Sequence, residues 1–140
     1  MIDSYVLDAC AVLTLLRDES GADVVADIIN KANIREVMIS IHKANLLEVY
    51  YDIYRTVGKM KADEVIDEIR NQPIAIVSDI SDDLFKEAGR LKSLYRISFA
   101  DTFALAEASI TGGILLTSDH HEMDIIEQNE PNIKFQWIRL

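Results

Sequence analysis

Short apolar runs alternate along the chain with longer stretches in which apolar residues recur every three or four positions. Ser4 to Asp8 reads as a buried strand that ends on an acid, and an apolar helical run follows from Ala9 to about Arg17. Ser20 fits the N-cap of a second helix, whose inner face is Val24, Val25, Ile28 and Ile29. Val37 to Ser40 is the next strand, and a long helix runs from about Lys43 to Val57, closed by Gly58. Lys59 to Asn71 is helical, with Ala62, Val65, Ile66 and Ile69 inward, and Pro73 opens a strand from Ile74 to Val77. Ser81 to about Tyr95 forms a helix with acids in its first turn. Phe99 to Ile110 forms another, ended by Gly112 and Gly113. Strands are expected at Ile114 to Thr117 and, beyond Pro131, at Lys134 to Ile138, with a short helix and loop between them. Strands of this length alternating with helices define an α/β fold with a largely parallel sheet.

The chain has 140 residues, 49% of them hydrophobic, which suits one domain with a real core. Two prolines and five glycines leave no flexible linker, so residues 1–140 are expected to be a single domain. No apolar run approaches the roughly 18 residues that span a bilayer. The N-terminus lacks a basic region followed by a cleavage site, and the lone Cys10 has no partner for an internal disulfide. A cytoplasmic location is therefore expected, with no membrane partner. The net charge of −10 argues against a broad nucleic-acid surface. It fits equally well a carboxylate site whose field a bound cation reverses.

Four acids break the pattern of solvated carboxylates. Asp8 ends a hydrophobic strand, and Asp119 follows another after one spacer residue. Ligands bind at the carboxyl ends of parallel strands, although either acid alone is as readily a helix cap. Glu48 shares a helix face with Ala44, Leu47 and Tyr51, and Asp101 shares one with Ala104, Leu105 and Ala108. A carboxylate on an apolar face needs a partner, and a salt bridge answers that need as well as a metal does. Four converging carboxylates repel one another, and a hard divalent ion such as Mg²⁺ or Mn²⁺ resolves the conflict. Residue pattern alone leads to an acidic metal site.

The segments Tyr5-Val-Leu-Asp8-Ala-Cys-Ala-Val-Leu, Asn45-Leu-Leu-Glu48-Val, Ser98-Phe-Ala-Asp101-Thr-Phe-Ala-Leu-Ala and Leu115-Leu-Thr-Ser-Asp119 occur in the order found in the PIN-domain family. Nearly the whole chain resembles that family, especially the VapC-type toxin ribonucleases of toxin–antitoxin pairs. The resemblance implies a three-layer α/β sandwich with a central sheet of about five mostly parallel strands flanked by helices. It implies that Asp8, Glu48, Asp101 and Asp119 bind Mg²⁺ or Mn²⁺ and catalyse hydrolysis of RNA phosphodiester bonds, leaving a 5′ phosphate and a 3′ hydroxyl. Asn45, Thr117 and Ser118 would support the site by hydrogen bonds. A small antitoxin protein and a homodimer are also implied, with Tyr50, Tyr51 and Tyr54 as candidate contacts or core residues.

Cys10 departs from the family, where many members carry a hydroxyl or amide; a thiol is a weak donor. Together with the acidity, it keeps open a second reading, a catalytically weak PIN fold retained for protein interaction. A third reading, phosphoryl transfer through an aspartyl intermediate, lacks the second acid two positions after Asp8 and a late lysine after a strand. His120 and His121 resemble half of a zinc site but have no further spaced ligand. Lys86, Arg90, Lys92 and Arg96 are the candidate RNA contacts, or else the solvated side of their helix.

Overall fold

The computed structural model describes residues 2–140. The chain runs β1 (Asp3–Leu7), α1 (Ala9–Leu16), α2 (Ala22–Asn33), β2 (Val37–His42), α3 (Lys43–Thr56), α4 (Lys59–Arg70), β3 (Ala75–Val77), α5 (Asp82–Leu94), α6 (Phe99–Thr111), β4 (Ile114–Thr117), α7 (His120–Asn129) and β5 (Lys134–Trp137). The five strands form one sheet in the order β3-β2-β1-β4-β5, and every pairing is parallel. The expected "mostly parallel" sheet is thus wholly parallel among the described residues.

The strand pleat divides the core in two. Leu7, Ile39, Ile41 and Leu116 point to one face, where α1 to α4 cover them. Val6 and Leu115 point to the other, against α5, α6 and α7. The register explains the pairing of faces: Val6 lies opposite Leu115, and Leu7 lies between Leu116 and Ile41. Burial on both faces is why these strands read as continuous apolar runs rather than alternating ones.

A parallel sheet brings all its strand C-termini to one edge. The helices α1, α3 and α7 begin directly after β1, β2 and β4, so their N-termini lie at that edge. The helix α6 returns to β4 through a two-residue turn at Gly112 and Gly113, which places its own N-terminus there too. Gly112 takes φ 72°, a left-handed value that glycine adopts without strain. Four helix N-termini, each carrying a partial positive charge, therefore surround one edge of the sheet.

Two local expectations change. Gly21, not Ser20, begins α2, because the backbone closes a tight turn from Glu19 to Ala22 and the Ser20 carbonyl accepts a hydrogen bond from Arg139 (2.7 Å). The inner face of α3 is Asn45, Leu46, Val49 and Ile53. Leu47 and Tyr51, expected beside Glu48 on that face, are exposed, so Glu48 sits on the half-buried flank of the helix.

Candidate metal centre

Asp8 caps α1 from the end of β1. One carboxylate oxygen accepts from the Ala11 amide (2.8 Å), and the other accepts from the Thr117 hydroxyl. That hydroxyl also accepts from the amide of Asp119 (3.1 Å), so Thr117 links two of the acids at the ends of adjacent strands. Asp119 in turn caps α7 by accepting from the Glu122 amide (3.2 Å). Ser98 caps α6 by accepting from the Asp101 amide (3.1 Å), which fixes the first turn that carries Asp101. Asp101 is buried, and so are Ala104, Leu105 and Ala108 along its stripe.

Asp101 and Asp119 are joined by a residue the sequence reading passed over, Glu122: one oxygen from each of the three carboxylates lies within 4.8 Å of the others. The signal for Glu122 was present. Asp119-x-x-Glu122 has the spacing of a capping box, in which the third helical residue sits over the helix start. Here the Asp119 backbone amide is already taken by Thr117, and the Glu122 carboxylate faces Asp101 instead. Asp8 and Glu48 lie outside that tightest group, but their charges act on it.

The electrostatics follow from burial without compensation. Burial raises Asp8 to about 7, against the hydrogen bonds from Thr117 and Ala11, and Asp119 and Glu48 raise it further. Burial also raises Asp101, helped by the Glu122 carboxyl beside it and by Asp8 and Asp119. Glu48 is raised by burial, then by Asp52, Glu122 and Asp119. Among the described residues, no lysine, arginine or histidine forms an ion pair with any of these five acids. The salt-bridge alternative for Glu48 and Asp101 therefore has no partner in the fold.

Asn45 is fully buried one helical turn before Glu48, and neither its amide nitrogen nor its oxygen has a hydrogen-bond partner in the protein. A buried polar group left unpaired costs about 1–3 kcal/mol, so both atoms call for a ligand or water. The donor set fits a hard cation: carboxylate oxygens, a neutral amide oxygen and no nitrogen or thiolate ligand. Cys10 is half-buried, and burial together with Asp8 and Asp119 pushes its thiol far up, which keeps it protonated. Ser118 contributes its backbone carbonyl to the His120 amide (3.1 Å), and its side chain makes no hydrogen bond among the described residues.

Several other candidates are committed elsewhere. His120 bridges Asp124 (2.7 Å) and the Arg139 carbonyl (2.8 Å) and stacks on Trp137 at 3.8 Å, which removes it from any metal role. Arg90 is held by Glu87 and Glu130 (both at 2.7 Å or less), and the Lys92 ammonium donates to the Ile97 carbonyl. Lys86 and Arg96 remain exposed. Tyr50 donates to Asp63 (2.7 Å) and is half-buried, while Tyr51 and Tyr54 are exposed.

A parallel three-layer α/β sandwich with acids gathered at the C-terminal edge of its sheet is the architecture the sequence led us to expect. The family model described as PIN domain matches residues 5–126, and the chain belongs to that family. No curated protein sequence matches it. Solved structures share the fold at low identity. A DNA-bound VapBC from Salmonella typhimurium is 13% identical, with a TM-score of 0.73 over 99% of this chain and 100% of that one. VapBC2 from Rickettsia felis, bound to a DNA fragment from their promoter, is 17% identical, with a TM-score of 0.72 over 95% of this chain and 97% of that one. The Mycobacterium tuberculosis toxin VapC20, described as cleaving the sarcin-ricin loop, is 11% identical, with a TM-score of 0.65 over 86% and 94%. Among the described residues, no helix is long and apolar enough to cross a membrane.

Proposed function

We propose that this protein is a divalent-metal-dependent endoribonuclease and the toxin of a toxin–antitoxin pair. The observation that carries the reading is the set Asp101, Asp119 and Glu122, three carboxylates with oxygens within 4.8 Å and no protein cation to offset them. Asp8, Glu48 and the unpartnered Asn45 complete the proposed ligand sphere of Mg²⁺ or Mn²⁺. When bound, such an ion lowers the pKa of a water and offsets charge on a phosphodiester.

The chain's own residues supply position and proton control. Thr117 donates to Asp8 and accepts from the Asp119 amide, so one hydroxyl links the acids at two strand ends. Burial, with the Glu122 carboxyl beside it, favours the protonated form of Asp101 when no cation is bound, and loss of that proton would free Asp101 as a ligand. Substrate is RNA, by the family resemblance and by likeness of fold to a toxin described as cleaving the sarcin-ricin loop. The partner is a small antitoxin, because the VapBC neighbours are toxin–antitoxin complexes; an arginine from such a partner suits an acidic pocket. One folded domain in the cytoplasm is the setting this requires.

Calorimetric titration tests the site before any substrate is known. Mn²⁺ is expected to bind the wild-type protein at micromolar to millimolar concentration with release of protons, and Glu122→Gln is expected to weaken it about tenfold or more. Absence of Mn²⁺ binding at millimolar concentration would instead favour the interaction-module reading.

A further inference from the structure

Four helices begin at the acidic edge, and one of them begins differently. Asp8, Ser98 and Asp119 cap α1, α6 and α7 with short side chains of the kinds that caps favour. The cap of α3 is His42, which is only 4% exposed. Serine or asparagine would make the same cap with less to bury, so capping alone does not explain a histidine there.

The ring reaches further than a short cap can. Its Nδ1 accepts from the Ala44 amide (3.0 Å), and its Nε2 donates to the Asp79 carbonyl (3.1 Å). An amide only donates and a carbonyl only accepts, which fixes the proton on Nε2 and the lone pair on Nδ1. The ring also stacks on Phe103, with centroids 4.7 Å apart and planes 10° from parallel. His42 is the last residue of β2 and lies beside Val77 at the end of β3, two residues before Asp79. One ring therefore joins the β2–α3 junction to the segment after β3 and to α6.

Both helices that it joins carry proposed metal ligands. Asn45 is in the first turn of α3 and Glu48 in the next; Asp101 is in the first turn of α6, two residues before Phe103. The first amides of a helix have no partner within it, and an uncapped first turn frays. In α3 that turn holds Asn45, fully buried with both side-chain polar atoms unpartnered in the protein. No hydrogen bond among the described residues directs the Asn45 side chain, so its aim depends on where the helix starts.

We propose that His42 is a positioning residue for the acidic centre. It sets the start of α3 against α6, and thereby the placement of Asn45 and Glu48 relative to Asp101. This role rests on the metal-centre reading, so the test needs one arm without metal.

Nitrogen-15 NMR of the full-length chain, labelled in its histidines, reads the ring directly in the metal-free protein. With the His42 signals assigned by their loss in His42→Asn, the wild type at neutral pH is expected to carry its proton on Nε2 alone. The opposite tautomer, or a ring protonated on both nitrogens, overturns the proposal. Calorimetry then reads Mn²⁺ affinity in variants of unchanged circular dichroism. His42→Phe keeps an aromatic ring but offers Ala44 no acceptor, and is expected to weaken Mn²⁺ binding about tenfold. His42→Asn keeps a cap acceptor and is expected to bind within about threefold of wild type. Ser81→Ala removes the cap of α5, a helix that holds none of the five acids, and is expected to change the affinity less than about twofold. Wild-type affinity in His42→Phe, a larger loss in His42→Asn, or an equal loss in Ser81→Ala each overturns the proposal. Absence of Mn²⁺ binding in the wild type is a separate result: it removes the metal centre, and the positioning role with it.

Discussion

Asp8 shows how one residue serves fold and chemistry at once. Its two oxygens cap α1 and receive the Thr117 hydroxyl, so the carboxylate is held by the fold, yet burial raises it from 3.8 to about 7. Between those values the folded protein keeps a proton that the unfolded chain has lost. Stability must therefore fall as pH rises from about 4 to about 7, and the raised Asp101 carries the fall to higher pH still. We expect the melting temperature of the metal-free protein to drop across that window, and Mn²⁺ to restore it most at the alkaline end. A melting temperature that rises steadily across the window would contradict the burial argument. Thr117→Val removes the hydroxyl that favours ionised Asp8 and positions Asp119. Mn²⁺ affinity at neutral pH should fall about tenfold while the fold survives; unchanged affinity in calorimetry would show that Thr117 only packs.

At the scale of elements, the corner between α1 and α2 makes the sharpest demand on sequence. Gly21 has φ 95°, and a Cβ there would lie 2.2 Å from a methyl of Ile138 and 2.6 Å from the Ile138 carbonyl oxygen. Gly21→Ala should cost about 2–4 kcal/mol in denaturant unfolding, from strain and overpacking together. Gly58→Ala is the control: φ is 127°, but nothing lies within 4 Å, so only the backbone penalty of about 1–2 kcal/mol applies. Equal costs would show that the Ile138 contact gives way. Elements with strong punctuation were legible in the sequence. Gly58 follows α3 and Gly112 follows α6, as the glycine positions led us to expect. The face of α3 was not legible, because apolar residues occur nearly all around it: Leu46 and Val49 meet the core, and Leu47 and Tyr51 meet solvent. Ser20 misled because a hydroxyl beside a helix start resembles a cap whether or not the turn lets it reach an amide.

The whole molecule joins these parts through one topological fact: a parallel sheet delivers its strand ends, and the helix starts that follow them, to the same edge. The placement of Asp8, Asp101 and Asp119 at that edge was readable because strand ends and small-residue stripes are local signals. Glu122 showed only as a capping-box spacing, because its place beside the other acids depends on Asp101 standing across from it, a contact between residues far apart in sequence. Global charge was the least informative quantity, since −10 does not say which acids gather at the sheet edge and which are solvated. The central claim is that the acidic edge is a nuclease centre, and Asp101→Asn tests it most directly. The substitution keeps shape, removes an ionisable ligand from a buried position and should leave the fold intact. With Mn²⁺ present, wild-type protein should cleave structured RNA and lose that activity to EDTA. Asp101→Asn, purified identically, should cleave at least about a hundredfold more slowly. Equal cleavage by the two proteins would contradict the account.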